Sequence, residues 1–344
     1  MNVLSVKKDR KSNLELLRIV AMLLVLVVHA DFFSNGEPAK EEILYSPFVS
    51  FLRYFVESSA IVCVNVFVLL SGWFGIKPKV SRFLDFSFQV IFFSTILYFV
   101  TGNYHRSLGE WVTILLGFQY WFVKAYIILY ILAPILNAFI ESSSKKQLEY
   151  FLLTFYIVQT IYGWYLGNAN WFNKGYSPLS FIGLYILARY IRLYKPFTNS
   201  IGKWFLYYFL CSLIISFCGL LGVLMGYDLV QVVYAYDSPF VVIASVCFFM
   251  VFAEMKLNTN KFINSIAISS FAVYLFHYHE CILHEYYTDV INNWYISLSF
   301  SQFLLYSLGW IILVFMASIL IDKVRLTIWR VLLIGYNSMF IKDD

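Results

Sequence analysis

Long apolar runs recur along almost the whole chain, and most approach the ~20 residues that a helix needs to cross a bilayer. Ten such stretches can be drawn, at roughly 14–33, 48–74, 83–100, 120–140, 148–166, 179–194, 204–225, 239–255, 266–284 and 300–321. In hydrocarbon every backbone N–H and C=O must be bonded within the protein, which favours helices for runs of this kind. The expected fold is therefore all-α: a polytopic membrane protein, one domain over 1–344, with about ten transmembrane helices. The stretch 108–118 is apolar but short and reads as a re-entrant or interfacial piece. No soluble domain fits in the remaining loops, and no internal repeat or low-complexity tract is visible.

Composition supports that class. The chain is 61% hydrophobic and 13% charged, whereas soluble domains lie near ~45–50% and ~25%. Its 35 Phe, 27 Tyr and 9 Trp suit interfacial belts and helix packing. The basic N-terminus leads into a long span without a small-residue cleavage site, so it reads as a retained first span. Cys63, Cys211, Cys218, Cys247 and Cys281 mostly lie in apolar runs without metal-type spacing, which fits buried free thiols.

Charge placement then orients the chain. Lys7, Lys8, Arg10, Lys11, Lys77, Lys79, Arg82, Lys145, Lys146, Arg189, Arg192, Lys195, Lys203, Lys256, Lys261, Lys323, Arg325, Arg330 and Lys342 fall on one side. Lys40, Arg106 and Lys174 fall on the other. Under the positive-inside rule both termini are expected in the cytoplasm. The net charge of +5 is accounted for by these flanks, so no nucleic-acid partner is implied.

Ionisable groups inside spans are costly and tend to face the bundle interior or a wet cavity. The first span carries Glu15, Arg18 and His29. Eleven helical steps put Arg18 and His29 on nearly one face, ~16 Å apart along the axis. His29 falls near the outer surface and Arg18 near the inner one. Glu15 can pair with Arg18. The plain alternative is a charged flank plus a histidine satisfied at the interface. In the second span Arg53 and Glu57 are four apart and can pair, while Asn65 must find a partner in the bundle. Ser71-Gly72 either ends that helix or lets a neighbour approach closely.

Other features stay open between a structural and a chemical reading. Lys77, Lys79 and Arg82 are either positive-inside flanks or a phosphate-binding loop. Lys124, a turn inside the fourth apolar run, either snorkels outward or serves chemistry. Trp171, Lys174, Gly175, Tyr176 and Ser177 form either an interfacial loop or a sugar contact. His277, Glu280 and His284 share a helical face in the ninth run. No other span completes a metal ligand set with them, so no metal is expected.

Arg18-x10-His29, Val64-Asn65-Val66-Phe67 with Ser71-Gly72, and Trp121-Phe122 with Tyr126, Tyr130, Pro134 and Asn137 follow one another in order. Gly175-Tyr176-Ser177 and Ser269-Ser270 to Tyr274-Leu275-Phe276-His277 continue the series. In this the chain resembles the acyltransferase-3 family of integral membrane acyltransferases over nearly its whole length. One departure concerns the loop after the second span, where the family often has paired arginines and this chain has Lys77, Lys79 and Arg82. The resemblance implies O-acyl transfer, most often of acetyl, from cytosolic acetyl-CoA to a carbohydrate hydroxyl. The acceptor would be a surface polysaccharide or a lipid-linked sugar at the bacterial cytoplasmic (inner) membrane. No hydrolase-type domain is fused, so the membrane part is expected to do its own chemistry.

On that reading His29 is the base or a transient acyl carrier, because imidazole matches proton transfer near neutral pH. Arg18 holds the donor or Glu15, Lys124 assists charge stabilisation, and His277 is the second candidate for the chemistry. Lys77, Lys79, Arg82, Arg189 and Arg192 would hold the coenzyme A phosphates. Glu57, Asn65, Trp121, Tyr126 and Tyr176 would contact substrate. Asp31 would orient His29 only if the helix ended there. A donor entering from the inside requires a polar passage from the basic cluster to His29. The competing class is a multi-span transporter of an amphipathic or anionic solute; a third is an assembly subunit of an export complex.

Overall fold

The computed structural model describes residues 11–101, 107–117, 119–167 and 170–340. Lys7, Lys8, Arg10, Arg106 and Lys342, counted above for orientation, lie outside the described residues. All regular structure among the described residues is helical.

The main helices are α1 (Ser12–Ala30), α2 (Pro47–Ala60), α3 (Cys63–Phe74), α4 (Val80–Val100), α5 (Trp121–Ser142) and α6 (Lys145–Val158). They continue with α7 (Pro178–Tyr194), α8 (Ile201–Met225), α9 (Pro239–Glu254), α10 (Lys261–His277), α11 (Asp289–Ser297) and α12 (Phe300–Phe340). Among the described residues six stretches are long and apolar enough by themselves to cross a membrane: Ser12–Asn35, Pro47–Phe74, Val80–Val100, Trp121–Ser142, Ile201–Met225 and Phe300–Leu333. A seventh arises if α10 and Glu280–Ser297, bent by 63° at their break, count as one. The remaining expected stretches fall on α6, which runs on without a break as a π-helix to Tyr165, and on α7 and α9, of 17 and 16 residues. At 1.5 Å per residue α7 and α9 are shorter than a full crossing.

The loops gather at two opposite ends. Ser12 Oγ donates to Asn264 Oδ1 at 2.9 Å, and Asn13 Nδ2 to the Phe252 carbonyl at 2.9 Å. At that same basic end Asn137 Nδ2 donates to the Ile76 carbonyl at 2.8 Å, and Tyr185 OH to Asn137 Oδ1 at 2.7 Å. At the far end Trp164 Nε1 donates to the Val232 carbonyl at 2.8 Å, and the Tyr236 amide to the Lys174 carbonyl at 3.0 Å.

Close packing explains Ser71-Gly72. A Cβ on Gly72 would lie 2.5 Å from the Tyr185 carbonyl, so only glycine lets α3 meet α7 there. Arg53 and Glu57 do not pair as their spacing suggests. The Arg53 guanidinium instead donates to Asp31 at 2.7 Å, Glu42 at 3.2 Å and Tyr295 OH at 2.8 Å, and also to the Gly36 carbonyl. It thereby ties the 31–45 loop to α2 and α11.

Arg325, counted above as a loop charge, is buried inside α12 because the helix runs on past the expected end of the tenth run. It bonds both Asp322 oxygens, at 2.9 and 3.2 Å, and reaches Asp85 on α4 at 2.9 Å. Gln89 completes Asp322 at 2.9 Å. Removing one partner from such a buried pair strands the other charge. Arg325→Ala should therefore cost about 3–5 kcal/mol and lower the thermal midpoint of the protein in detergent. An unchanged midpoint would refute that assignment.

Candidate active site

Two histidines that are far apart in sequence meet at one point. α1 packs on α10, and His29 and His277 face each other with ring centroids 5.1 Å apart. Each ring is held from its own helix. His29 Nδ1 lies 2.8 Å from the Val25 carbonyl, and His277 Nδ1 lies 2.6 Å from the Val273 carbonyl, four residues back in each case. His277 Nε2 lies 3.3 Å from His29 Nδ1.

These contacts assign the tautomers. A carbonyl only accepts, so both Nδ1 atoms carry hydrogen. A neutral His277 then has its lone pair on Nε2, and His29 Nδ1–H is shared between that nitrogen and the Val25 carbonyl. The lone pair of a neutral His29 is left on Nε2. His277 is fully buried, whereas His29 is half-buried and lines a cavity of about 390 Å³.

The cavity has two characters. Its mouth is polar and aromatic, with Glu37, Lys174, Gln231, Tyr234 and Tyr278. One wall is an aromatic cluster: Trp121 lies 4.5 Å from Tyr176, which lies 5.0 Å from Tyr236. Glu57 projects from α2 just before the break at Ile61 and Val62. It is 3% exposed, and its Oε2 has no hydrogen bond. Toward the other end, Met22, Phe67, Phe122 and Phe271 form the floor. Met22 is seven residues before His29, ~10 Å along the helix.

The expected polar passage to the basic end is not seen among the described residues. Below the floor Phe122 stacks on Tyr126 at 5.8 Å, and Phe86 touches both Tyr126 and Phe271. Tyr126 thus lies beneath the cavity. Arg18, a turn below Met22, bonds Glu15 at 3.1 Å. Asn65 is also off the cavity, and its amide donates to the Tyr236 carbonyl at 2.9 Å. Lys124 is exposed and does not join His29. α1 does end at Ala30, yet Asp31 serves Arg53 rather than His29.

Of the basic residues, Arg189 and Arg192 meet the C-terminal end of α3. Arg192 bonds the Trp73 carbonyl and lies over the Trp73 and Phe74 rings. The Arg189 guanidinium lies against Gly75. Lys77, Lys79 and Arg82 follow on the exposed segment after Gly75. His277, Glu280 and His284 do not share a helix face, because α10 stops at His277 and His279 caps the next turn by accepting from the Cys281 amide. No group of three or more His, Cys, Asp or Glu able to hold a metal occurs among the described residues.

A profile described as an acyltransferase domain (Acyl_transf_3) matches residues 11–323. The chain belongs to the acyltransferase-3 family. No curated protein and no solved structure matches it. The paired histidines and the orphaned Glu57 therefore lie within the family's matched region, in a membrane-type helical bundle.

A carboxyl that is buried without a partner on one oxygen costs stability. Glu57→Gln should keep or raise the thermal midpoint while lowering acyl transfer. A lower midpoint would mean that the carboxylate is a structural member of the bundle.

Proposed function

We propose that this membrane acyltransferase moves an acyl group, acetyl by family expectation, from cytosolic acyl-CoA to a carbohydrate hydroxyl. The acceptor is a surface-polysaccharide or lipid-linked sugar, and the basic end of the bundle faces the bacterial cytoplasm. The observation that carries the reading is the bare Nε2 assigned to His29, on a ring that opens to the cavity while its other nitrogen is held.

The acceptor hydroxyl enters from the aromatic mouth, and His29 Nε2 takes its proton as the oxygen attacks the thioester carbonyl. The new C–O bond forms, the C–S bond breaks, and the proton on Nε2 passes to the departing thiolate. His277 accepts from His29 Nδ1–H throughout. It fixes the ring and shares the positive charge that develops on it, which makes it a positioning residue. Of the five tyrosines that line the cavity, Tyr278, Tyr176 and Tyr274, whose hydroxyl has no partner, are the ones assigned to the developing oxyanion. Glu57 accepts from a second acceptor hydroxyl.

Donor phosphates would lie among Lys77, Lys79, Arg82, Arg189 and Arg192, whose Lys and Arg side chains suit phosphate. Arg18 lies on the route between them and the cavity. For the thioester to reach His29 from that end, Phe67, Phe122 and Phe271 must part.

The test is acetyl-CoA turnover by purified protein in nanodiscs with a bacterial glycan extract. Free thiol should appear together with a mass gain on the glycan. His29→Ala should lower the rate about 10²–10⁴-fold, the usual worth of general-base catalysis. His277→Ala should retain more activity than His29→Ala. Undiminished turnover in His29→Ala would remove the assigned base, and absence of turnover with any acyl-CoA would remove the reading.

A further inference from the structure

The loop before α7 holds three consecutive residues at positive φ: Asn173 at 44°, Lys174 at 52° and Gly175 at 88°. Glycine takes this region freely, and asparagine tolerates it, but a lysine there is strained. The strain is held in place by backbone bonds. The Gly175 amide donates to the Phe172 carbonyl at 2.8 Å, and the Tyr236 amide donates to the Lys174 carbonyl at 3.0 Å. Gly175 cannot be relieved by another residue, since a Cβ there would lie 2.4 Å from Tyr236 Cβ. Lys174 faces no such limit of type, and a glycine or asparagine would suit its backbone better. A lysine in that position points to a use for the side chain itself.

The side chain is at the cavity mouth. Lys174 lines the cavity, and its Nζ donates to Gln231 Oε1 at 3.1 Å. That partner is neutral. Among the described residues no carboxylate lies within ion-pair distance of Nζ. Glu37 is on the mouth as well. Asp237 is buried close by, and burial pushes its carboxyl up to about 6 against the opposing pull of the Lys174 charge. Lys174 is thus a cation whose nearest charged partner, Asp237, is out of direct contact, and it is placed at strain cost where an acceptor enters.

We infer that Lys174, with Gln231 beside it, recognises an anionic group on the acceptor, a carboxylate or a phosphate diester, and so selects acidic or phosphate-bearing glycans. This rests on the acceptor entering by the mouth as proposed above. Lys174 makes no contact with His29, so it acts on acceptor binding and not on the chemical step. Lys174 is exposed, and a charge pair at an exposed site corresponds to about a three- to fivefold change in acceptor KM.

The experiment uses full-length protein in nanodiscs, as wild type, Lys174→Asn and Lys174→Arg. The acceptors are one glycan extract in three aliquots: untreated, carboxyl-reduced, and dephosphorylated with aqueous hydrogen fluoride. On untreated glycan Lys174→Asn should raise KM about three- to fivefold with kcat unchanged, and Lys174→Arg should restore it. The thermal midpoint of Lys174→Asn should be equal or higher, because the strain is eased. The aliquot that has lost the recognised group should show a raised wild-type KM and no difference between wild type and Lys174→Asn, which tells carboxylate from phosphate. Equal KM for both proteins on untreated glycan overturns the inference, as does a rise of the same size on all three aliquots. A lowered midpoint without a KM change assigns Lys174 to structure and overturns it too. In each of those outcomes His29-dependent turnover leaves the proposed function standing, whereas no turnover on any aliquot removes both.

Discussion

A polar group inside an apolar bundle must find a partner or be held there by everything around it. Several polar residues of the chain meet this constraint in different ways. Arg53, Arg325, Asn65 and Asn137 are bonded across helices, and they tie the bundle together at its ends and along its length. Glu57 Oε2 is left over, and so is the His29 Nε2 that the tautomer assignment leaves bare. Both residues line the same cavity. Buried atoms without a partner also occur away from the cavity, at Ser94, Gln119 and Trp204 among others, so it is the place of Glu57 and His29 on the cavity, and not the missing bond alone, that singles them out.

The histidine pair depends on that scaffold at two removes. α1 and α10 must lie side by side for His277 to meet His29. The 31–45 loop must fold back for α2 to bring Glu57 to the same cavity. Arg53 secures the second condition by bonding Asp31, Gly36 and Glu42 from one guanidinium, with Tyr295 of α11 closing the group. The break between α2 and α3 places Glu57, Ile61, Cys63 and Val64 along one wall. Below them the aromatic floor divides the cavity from Arg18 and the basic end. That division suits a reaction whose two substrates approach from opposite sides and whose activated thioester must be kept from water.

Much of this was legible in the sequence. Apolar runs gave the all-helical class, and charge in the first run drew attention to His29. The family resemblance rested on Arg18-x10-His29 and the motifs that follow it. The partners were less legible because they are set by tertiary packing. Four-residue spacing suggested Arg53 with Glu57, yet Asp31 and Glu42 arrive from the loop and take the arginine. The same spacing logic put His277, Glu280 and His284 on one face, and a helix end at His277 breaks that register. Lys124 stayed open between snorkelling outward and serving chemistry, and Asn65 between a partner in the bundle and a contact with substrate. The structure turns Lys124 outward and bonds Asn65 to the Tyr236 carbonyl. The left-handed backbone at Lys174 had only a faint trace, the glycine that follows it.

The measurement closest to the central claim is the ring nitrogen spectrum of His29. The chain has five histidines, so 15N-histidine labelling with single substitutions for assignment gives a tractable NMR spectrum in nanodiscs. The account predicts that at neutral pH His29 is protonated on Nδ1 and bare on Nε2, and that His277 has the same tautomer. A His29 protonated on Nε2, with Nδ1 bare, would contradict it, because the nitrogen facing the cavity would then have no lone pair with which to accept the acceptor's proton.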